Sequence, residues 1–311
     1  PLTAGSRLLL RWLVTLALLG MVLWLVDVGA ILAQLASVDL PWLLLALAIT
    51  PLQVVVSAWR WRYTVARLGE QLPLGHAIRE YYLGTLVNQL VPGGVVGDAG
   101  RALRHRRNTG RTATAIHGVM IERFSGQLVL LLLAIVLIAL WLPLPTPPMP
   151  GLFLVPGVLV AALLAWSLLQ APPVRAWWQS FRSDLWRALL APSVLPVQLG
   201  SSLVVIGSYL LVFWCLAMGI GLEIARSAPW LLMALCTVLL MAMVVPLTIS
   251  GWGVREGAAA LIWPLAGLDP EQGVALAVSY GLLVLVSALP GALFLFNGRK
   301  NPGQTAYRCP D

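Results

Sequence analysis

The sequence predicts an all-α, polytopic integral membrane protein: a helical bundle with about six full spans and two inverted re-entrant helical hairpins. Of its 311 residues, 59% are hydrophobic and only 10% are charged. Soluble domains are typically about 45–50% apolar and about 25% charged. A hydrocarbon core about 30 Å thick needs roughly 20 apolar residues per helix. The apolar excess therefore predicts a single transmembrane domain over residues 1–311, without a separate soluble domain.

Seven apolar runs meet this length requirement. They are 8–26, 40–59, 118–141, 151–169, 194–218, 229–245 and 274–296. The first resembles a signal peptide, but its length, its lack of a small-residue cleavage site and the aspartate that follows it favour a retained span. Two shorter apolar stretches, 81–91 and 258–268, are too short to cross the membrane and have the length typical of re-entrant segments.

The placement of arginine predicts the orientation in the membrane. Arginines cluster before the first run, after the second, before the third and after the fourth, whereas segments 27–39, 143–150 and 268–272 contain neither Lys nor Arg. Because positive loops remain in the cytoplasm, both termini are predicted to be cytoplasmic, in the inner membrane, with a short tail over 297–311. The same rule accounts for the net charge of +8 without nucleic-acid binding.

Because both termini are predicted on the same side of the membrane, the number of crossings must be even. Seven full spans would give an odd number. A hairpin over about 79–104 that enters from the cytoplasm, and a second over about 229–268 that enters from outside, leave six crossings. Opposed pairs of broken helices are typical of many transporters.

Each predicted hairpin contains a break that combines proline and glycine with an acid and an arginine. The first break contains Pro92, Gly93, Gly94, Gly97, Asp98 and Arg101. The second contains Pro246, Gly251, Gly253, Arg255 and Glu256. Irregular backbone at membrane depth is tolerated only inside protein or beside a wet cavity, so both breaks are predicted to face inward.

The charged residues at these breaks are expected to be paired or functional, because each costs at least about 2.5–3.5 kcal/mol at mid-bilayer. Asp98 and Arg101 are three positions apart on a starting helix and are expected to pair. Arg255 and Glu256 are adjacent, point in different directions and are each expected to pair elsewhere, for example Arg255 with Asp98. Glu122, which opens the third long run, is a candidate partner for Arg101.

An arginine near the start of a helix forms a site for an anion, and the most common anion in a membrane is a lipid phosphate. The predicted substrate-binding residues are Asn88, Asp98, Arg101, Glu122, Arg123, Trp252, Arg255 and Glu256. An alternative is that the charged pairs only stabilise loops, that Asn88 bonds unwound backbone and that Trp252 only packs. No catalytic residue, metal site or cofactor is predicted, since the three histidines and three cysteines are scattered.

The two breaks resemble the family of the lysylphosphatidylglycerol synthase transmembrane region, a flippase-like group. The first break is similar to that family's Asn…Pro-Gly…Gly-Asp/Glu…Arg signature at Asn88, Pro92, Gly93, Gly97, Asp98 and Arg101. The second is similar to its Pro…Gly-x-Gly-x-Arg-Glu signature at Pro246, Gly251, Gly253, Arg255 and Glu256. In the best-known members this region looks like a lipid translocase joined to an aminoacyltransferase domain, which these 311 residues do not contain.

The resemblance implies a lipid translocase for an anionic or phosphate-bearing lipid, such as an aminoacylated phospholipid, a polyprenyl-phosphate-linked lipid or a hopanoid-type lipid. No ATP-binding loop occurs, so transport is expected to be downhill or coupled to an ion, with Asp98, Glu122 or Glu256 as proton carriers. Two alternatives stay open: an intramembrane lipid-phosphate transferase, and a non-catalytic membrane subunit that assists a separate lipid-modifying enzyme.

Overall fold

The computed structural model describes residues 4–91, 95–141, 172–244 and 248–297, which form helices joined by short connections. The helices are α1 (Ala4–Leu25), α2 (Val28–Ala36), α3 (Leu40–Arg67), α4 (Leu74–Leu90), α5 (Val96–Thr109), α6 (Thr112–Trp141), α7 (Pro172–Leu185), α8 (Leu195–Gly219), α9 (Ile224–Ser227), α10 (Pro229–Ala242), α11 (Val254–Leu265), α12 (Pro270–Ala288) and α13 (Pro290–Asn297). A π-helical turn, Trp186–Leu190, follows α7. These ranges contain no β-strand, which confirms the predicted all-α class.

Within the described ranges, four stretches of helix are long and apolar enough to cross a membrane. They are Leu40–Arg67, Thr112–Leu137, Leu195–Gly219 and Pro270–Phe294, the last of which combines α12 with most of α13. Part of α1 together with α2 supplies a fifth candidate, although the two are bent by 94°. The chain is therefore a multi-pass membrane protein. The span predicted over 151–169 lies outside the described residues.

The bend between α1 and α2 has a local cause in Asp27. Its carboxylate accepts hydrogen bonds from the backbone N–H groups of Gly29, at 2.8 Å, and Ala30, at 3.3 Å. An aspartate in this position satisfies the unpaired donors of a new helix and favours a restart over continuation of the old helix. The segment after the first span, expected to be a loop, therefore includes the short helix α2.

The two predicted hairpins correspond to two pairs of short helices. α4 packs against α5, and α10 packs against α11. Their lengths of 17, 14, 14 and 12 residues are below the roughly 20 that a crossing needs. The entry of the two pairs from opposite sides of the membrane stays a prediction. The break residues Pro92, Gly93, Gly94 and Pro246 lie outside the described ranges.

The two helices of the first pair, α4 and α5, cross at two glycines. A Cβ atom added to Gly97 of α5 would lie 2.0 Å from the carbonyl oxygen of Gly84 in α4. No side chain fits at that distance, so the sequence requires glycine at this crossing. The close approach places the first turn of α5, with its charged residues, directly beside α4.

The centre of the bundle is built on α3 and α8, which pack along each other, with α6 against both. α5 covers α6, and α12 packs on α8, where the rings of Phe213 and Tyr280 stack with centroids 4.1 Å apart. As a result, each of the helices α3, α5, α6 and α8 has one face directed toward the interior of the bundle.

Replacing Gly97 with alanine should destabilise the protein by at least about 1–3 kcal/mol, because the backbone of α4 would have to move. The measurement is the temperature at which half of the purified protein remains monodisperse in detergent. Gly75→Ala in α4 is the matched control, since nothing lies within 4 Å of a Cβ added there. Equal melting temperatures for the two variants would contradict the close crossing of α4 and α5.

The predicted orientation can be checked by labelling single cysteines with an impermeant thiol reagent in a background lacking Cys309. Cys215 and Cys236 are buried and stay in place. Asp269→Cys, before α12, should react from outside intact cells, and Ser183→Cys, near the end of α7, only after permeabilisation. The reverse pattern would show that the orientation is wrong, and with it the side from which each hairpin enters. Reaction of both cysteines from the same side would contradict the predicted arrangement of the spans between them.

Candidate functional site

A buried network of charged side chains lies where α3, α5 and α6 meet, and Glu122 is at its centre. Arg60 of α3 forms an ion pair with one carboxylate oxygen of Glu122, and Arg101 of α5 lies 2.8 Å from the other. All three side chains are almost fully buried. Arg60 also donates a hydrogen bond of 3.0 Å to Ser202 of α8. One carboxylate thus joins three helices and, through Arg60, a fourth.

Asp98 extends the network toward the surface of the bundle. It lies 3.0 Å from Arg101, as its spacing predicted, and 2.5 Å from Arg123 of α6. The side-chain amide nitrogen of Asn88, in α4, donates a long hydrogen bond of 3.4 Å to the carboxylate of Asp98. The amide oxygen of Asn88 accepts a hydrogen bond of 2.7 Å from the backbone N–H of Gly97. The side chain of Arg123 is 47% exposed, so this end of the network is open to its surroundings. Asn88 therefore both fixes the start of α5 and contacts the acid there.

Two aromatic rings cover the guanidinium group of Arg101. Its central carbon lies 4.8 Å from the ring centroid of Trp61 and 4.3 Å from that of Tyr81. Contacts of a cation with ring faces contribute about 0.5–2 kcal/mol, more when water is excluded. The rings hold the group in place without using its N–H donors; Nε and Nη2 donate to Asp98 and Glu122, and Nη1 has no partner among the described residues.

The network carries an excess of positive charge. Three arginines, Arg60, Arg101 and Arg123, face two acids, Asp98 and Glu122, which leaves one formal positive charge over. In addition, Nε of Arg60 and Nη1 of Arg101 are buried and have no hydrogen-bond partner among the described residues. Buried charge without a counterion is costly, so this arrangement favours the binding of an anion.

A second, smaller cluster lies at the start of α11. Arg255 and Glu256 pair with each other at 2.5 Å, and Glu256 also accepts a 2.6 Å hydrogen bond from the backbone N–H of Gly253. The rings of Trp252 and Tyr280 flank the Arg255 guanidinium at 5.0 and 5.5 Å. The expectation that Arg255 and Glu256 pair elsewhere is wrong, because the arginine side chain folds back over the helix start that Glu256 caps.

The predicted site residues therefore separate into two groups. Asn88, Asp98, Arg101, Glu122 and Arg123 come together in the network, whereas Trp252, Arg255 and Glu256 form the cluster at α11. The expected pair of Glu122 with Arg101 is confirmed. The expected pair of Asp98 with Arg255 is wrong, since Asp98 binds Arg101 and Arg123 while Arg255 binds its neighbour.

Arg60 is the functional candidate that sequence reasoning missed, because it was counted only as a cytoplasmic topology signal. It lies inside α3, seven residues before the helix ends. The signal that would have found it is a polar stripe on one face of the helix, formed by Gln53, Ser57, Arg60 and Thr64, all of them buried. Spacings of three and four residues place these side chains on the same face.

Long apolar helices around a buried ion network define a multi-pass membrane protein whose charged site lies within the spanning bundle. A family model described as "Lysylphosphatidylglycerol synthase TM region" matches residues 9–291. The chain belongs to this family, and its membership implies a membrane lipid-related role. No curated protein and no solved structure matches the chain.

Replacing Glu122 with glutamine should lower the free energy of unfolding by about 3–5 kcal/mol, because two buried arginines lose their common counterion. Glu223→Gln, at an exposed position before α9, is the control and should change stability by less than about 0.5 kcal/mol. Thermal and urea denaturation in detergent measure both. A Glu122→Gln variant as stable as the parent would mean that the network does not hold α3, α5 and α6 together.

Proposed function

We propose that the protein is a lipid translocase that moves a lipid with an anionic or phosphate-bearing headgroup between the two leaflets. The observation that carries this proposal is the positive charge excess of the network together with its open end at Arg123. The headgroup phosphate would contact Arg123 and the free donor of Arg101, while the lipid tails stay in the bilayer.

The depth of Arg123 supports this role. It lies eleven residues after Thr112, the first residue of α6, which corresponds to about 16 Å along the helix. The side chain is nonetheless half exposed, in a helix whose sequence is apolar enough to span. Arg123 is five residues into the apolar run 118–141. A guanidinium within such a run is costly unless it meets water or an anion, and ionisable residues in such places typically mark substrate pathways.

Polar residues in the interface between α3 and α8 extend the proposed path of the headgroup. Gln198 of α8 donates hydrogen bonds to Thr64 of α3, at 2.9 Å, and to the carbonyl of Ala188, at 2.8 Å. Together with Arg60 and Ser202, these residues form a polar seam between α3 and α8. A headgroup that leaves Arg123 would therefore meet polar groups within the bundle, which can replace the hydrogen bonds that the headgroup made to water.

The second cluster differs from the network in charge balance. Arg255 and Glu256 neutralise each other, so this cluster has no excess charge to attract an anion on its own. Gly281 leaves room for the side chains of this cluster, because a Cβ atom at position 281 would lie 2.3 Å from an Arg255 nitrogen and 2.7 Å from the Trp252 ring. In the proposed function the network is the primary headgroup site and the cluster at α11 is auxiliary.

Reconstituted liposomes test the proposal. Labelled phosphatidylglycerol, its lysyl ester and a polyprenyl phosphate are incorporated separately, and leaflet exchange is followed by chemical quenching of the outer label. The protein should accelerate exchange of at least one of these lipids. Well-folded protein that accelerates none of them would contradict translocation, and formation of a new lipid product would favour a transferase.

Arg123→Gln should slow exchange by about ten- to hundredfold, the loss expected when a hydrogen bond to a charged group is removed. Arg123 is half exposed, so this variant should fold. Arg123→Lys should retain an intermediate rate, because lysine keeps the charge but not the planar array of donors. Arg226→Gln, on the short helix α9, is the control. If both glutamine variants keep the parental rate, the headgroup does not use Arg123.

A further inference from the structure

A second group of buried ionisable side chains lies where the first helix pair joins the rest of the bundle. Glu70 is in the connection after α3, and His105 is on α5; their side chains are 4% and 0% exposed. Nε2 of His105 lies 2.8 Å from a carboxylate oxygen of Glu70. Nδ1 of His105 has no hydrogen-bond partner within the described part of the chain. Nothing in the proposed transport path uses this pair.

Trp61 lies between this pair and the anion site. Its ring meets the His105 ring edge to face, with centroids 5.7 Å apart, and the guanidinium of Arg101 lies 4.8 Å from the Trp61 ring centroid. Arg101 and His105 are four residues apart on α5 and therefore share one face of the helix. A charge that appears on His105 is thus only one buried ring away from the central arginine of the network.

The acids inside the network are poor proton carriers. Glu122 faces Arg60 and Arg101, and Asp98 faces Arg101 and Arg123. Protonation of Glu122 would leave Arg60, and protonation of Asp98 would leave Arg123, without an acidic partner among the described residues. Histidine, in contrast, changes its charge near neutral pH. Burial lowers the pKa of His105 below the ordinary value of 6.5, and Glu70 opposes this shift.

We infer that the Glu70–His105 pair is a proton-binding site that regulates the anion site through Trp61. The inference rests on the proposed function, since it assumes that the arginine network holds an anionic headgroup. A proton taken from water forms one N–H bond on the His105 imidazole and is stabilised by the Glu70 carboxylate. The added positive charge on the Arg101 face of α5 strengthens anion binding, and by linkage an anion bound at the network strengthens proton binding.

The other charged groups around His105 explain why this pair is the one that titrates. From α4, Glu80 faces His105, but it is already held by Arg104 of α5. His76 of α4 lies 3.9 Å from the same Glu80. α3 contributes Trp61 and the following connection contributes Glu70. Among the described residues, only Glu70 presents His105 with a carboxylate that forms no ion pair with an arginine.

The first experiment measures the titration midpoint of each histidine from hydrogen–deuterium exchange at its ring C2 position, by mass spectrometry of the purified protein. The probe is dioctanoyl phosphatidylglycerol. Its addition should raise the midpoint of His105 by at least about 0.7 pH unit, which corresponds to about fivefold coupling. The midpoint of His76 should not rise with it, because a charge on His105 lowers the pKa of His76. A bound probe that leaves His105 unchanged would overturn the inference.

A second arm needs no lipid and separates the inference from the proposed function. Arg101→Gln removes a positive charge beside Trp61 and should raise the His105 midpoint in the free protein. If this variant fails to purify, Arg123→Gln should give a smaller rise in the same direction. No change in the variant that purifies would overturn the coupling. A rise without any probe binding would instead keep the coupling and count against the anion site.

The third measurement is the pH profile of leaflet exchange. From pH 8 down to pH 5.5 the parent should speed up, up to about fivefold, with most of the gain below pH 6.5, because the pKa of His105 is lowered from that value by burial. His105→Gln and Glu70→Gln should flatten this profile. His117→Gln, which removes a histidine that pairs with Asp184 of α7, is the control and should keep it. A profile that His105→Gln leaves unaltered would show that a different group carries the proton.

Discussion

The position of one carboxylate, Glu122, controls the arrangement of the charged interior. A carboxylate and two arginines inside a membrane bundle are each unfavourable alone, and the low dielectric that makes them costly also makes their mutual attraction strong. Arg60, Arg101 and Glu122 therefore specify how α3, α5 and α6 must meet. The remaining features depend on this constraint, because the orientation of α5 sets where Asp98 and His105 lie.

The two arginine sites show how similar surroundings produce different electrostatics. Arg101 and Arg255 are both 1% exposed, and each lies between a tryptophan and a tyrosine ring. Aromatic faces stabilise a cation while leaving its donors unused. Arg255 is neutralised by its own neighbour, whereas Arg101 belongs to a group with one positive charge in excess. Charge balance, and not burial, therefore distinguishes the proposed anion site from the neutral pair.

Much of the fold and part of the site were predictable from sequence, for physical reasons. Hydropathy and helix length define the spans, and the cost of charge in hydrocarbon identifies Asp98, Arg101 and Glu122 as partners. Arg60 was missed because an arginine near a helix end serves equally well as a topology signal. The pairing of Arg255 with Glu256 was not predicted, because it depends on the rotamer of a long side chain. Which helices touch is set by packing angles that a sequence does not display.

The glycine crossing of α4 and α5 also has a mechanical consequence. Because the backbones of Gly84 and Gly97 are in close contact, α5 cannot move toward α4 without displacing it, and in that direction the two helices act as one lever. The chain on either side of this lever contains a glycine with positive φ, Gly69 at 82° and Gly110 at 74°. Small residues in such connections often act as joints. Both glycines lie outside the helices, so a pivot at these joints would leave the backbone hydrogen bonds within α4 and α5 intact, and its cost would be the ion pairs that tie α5 to α6.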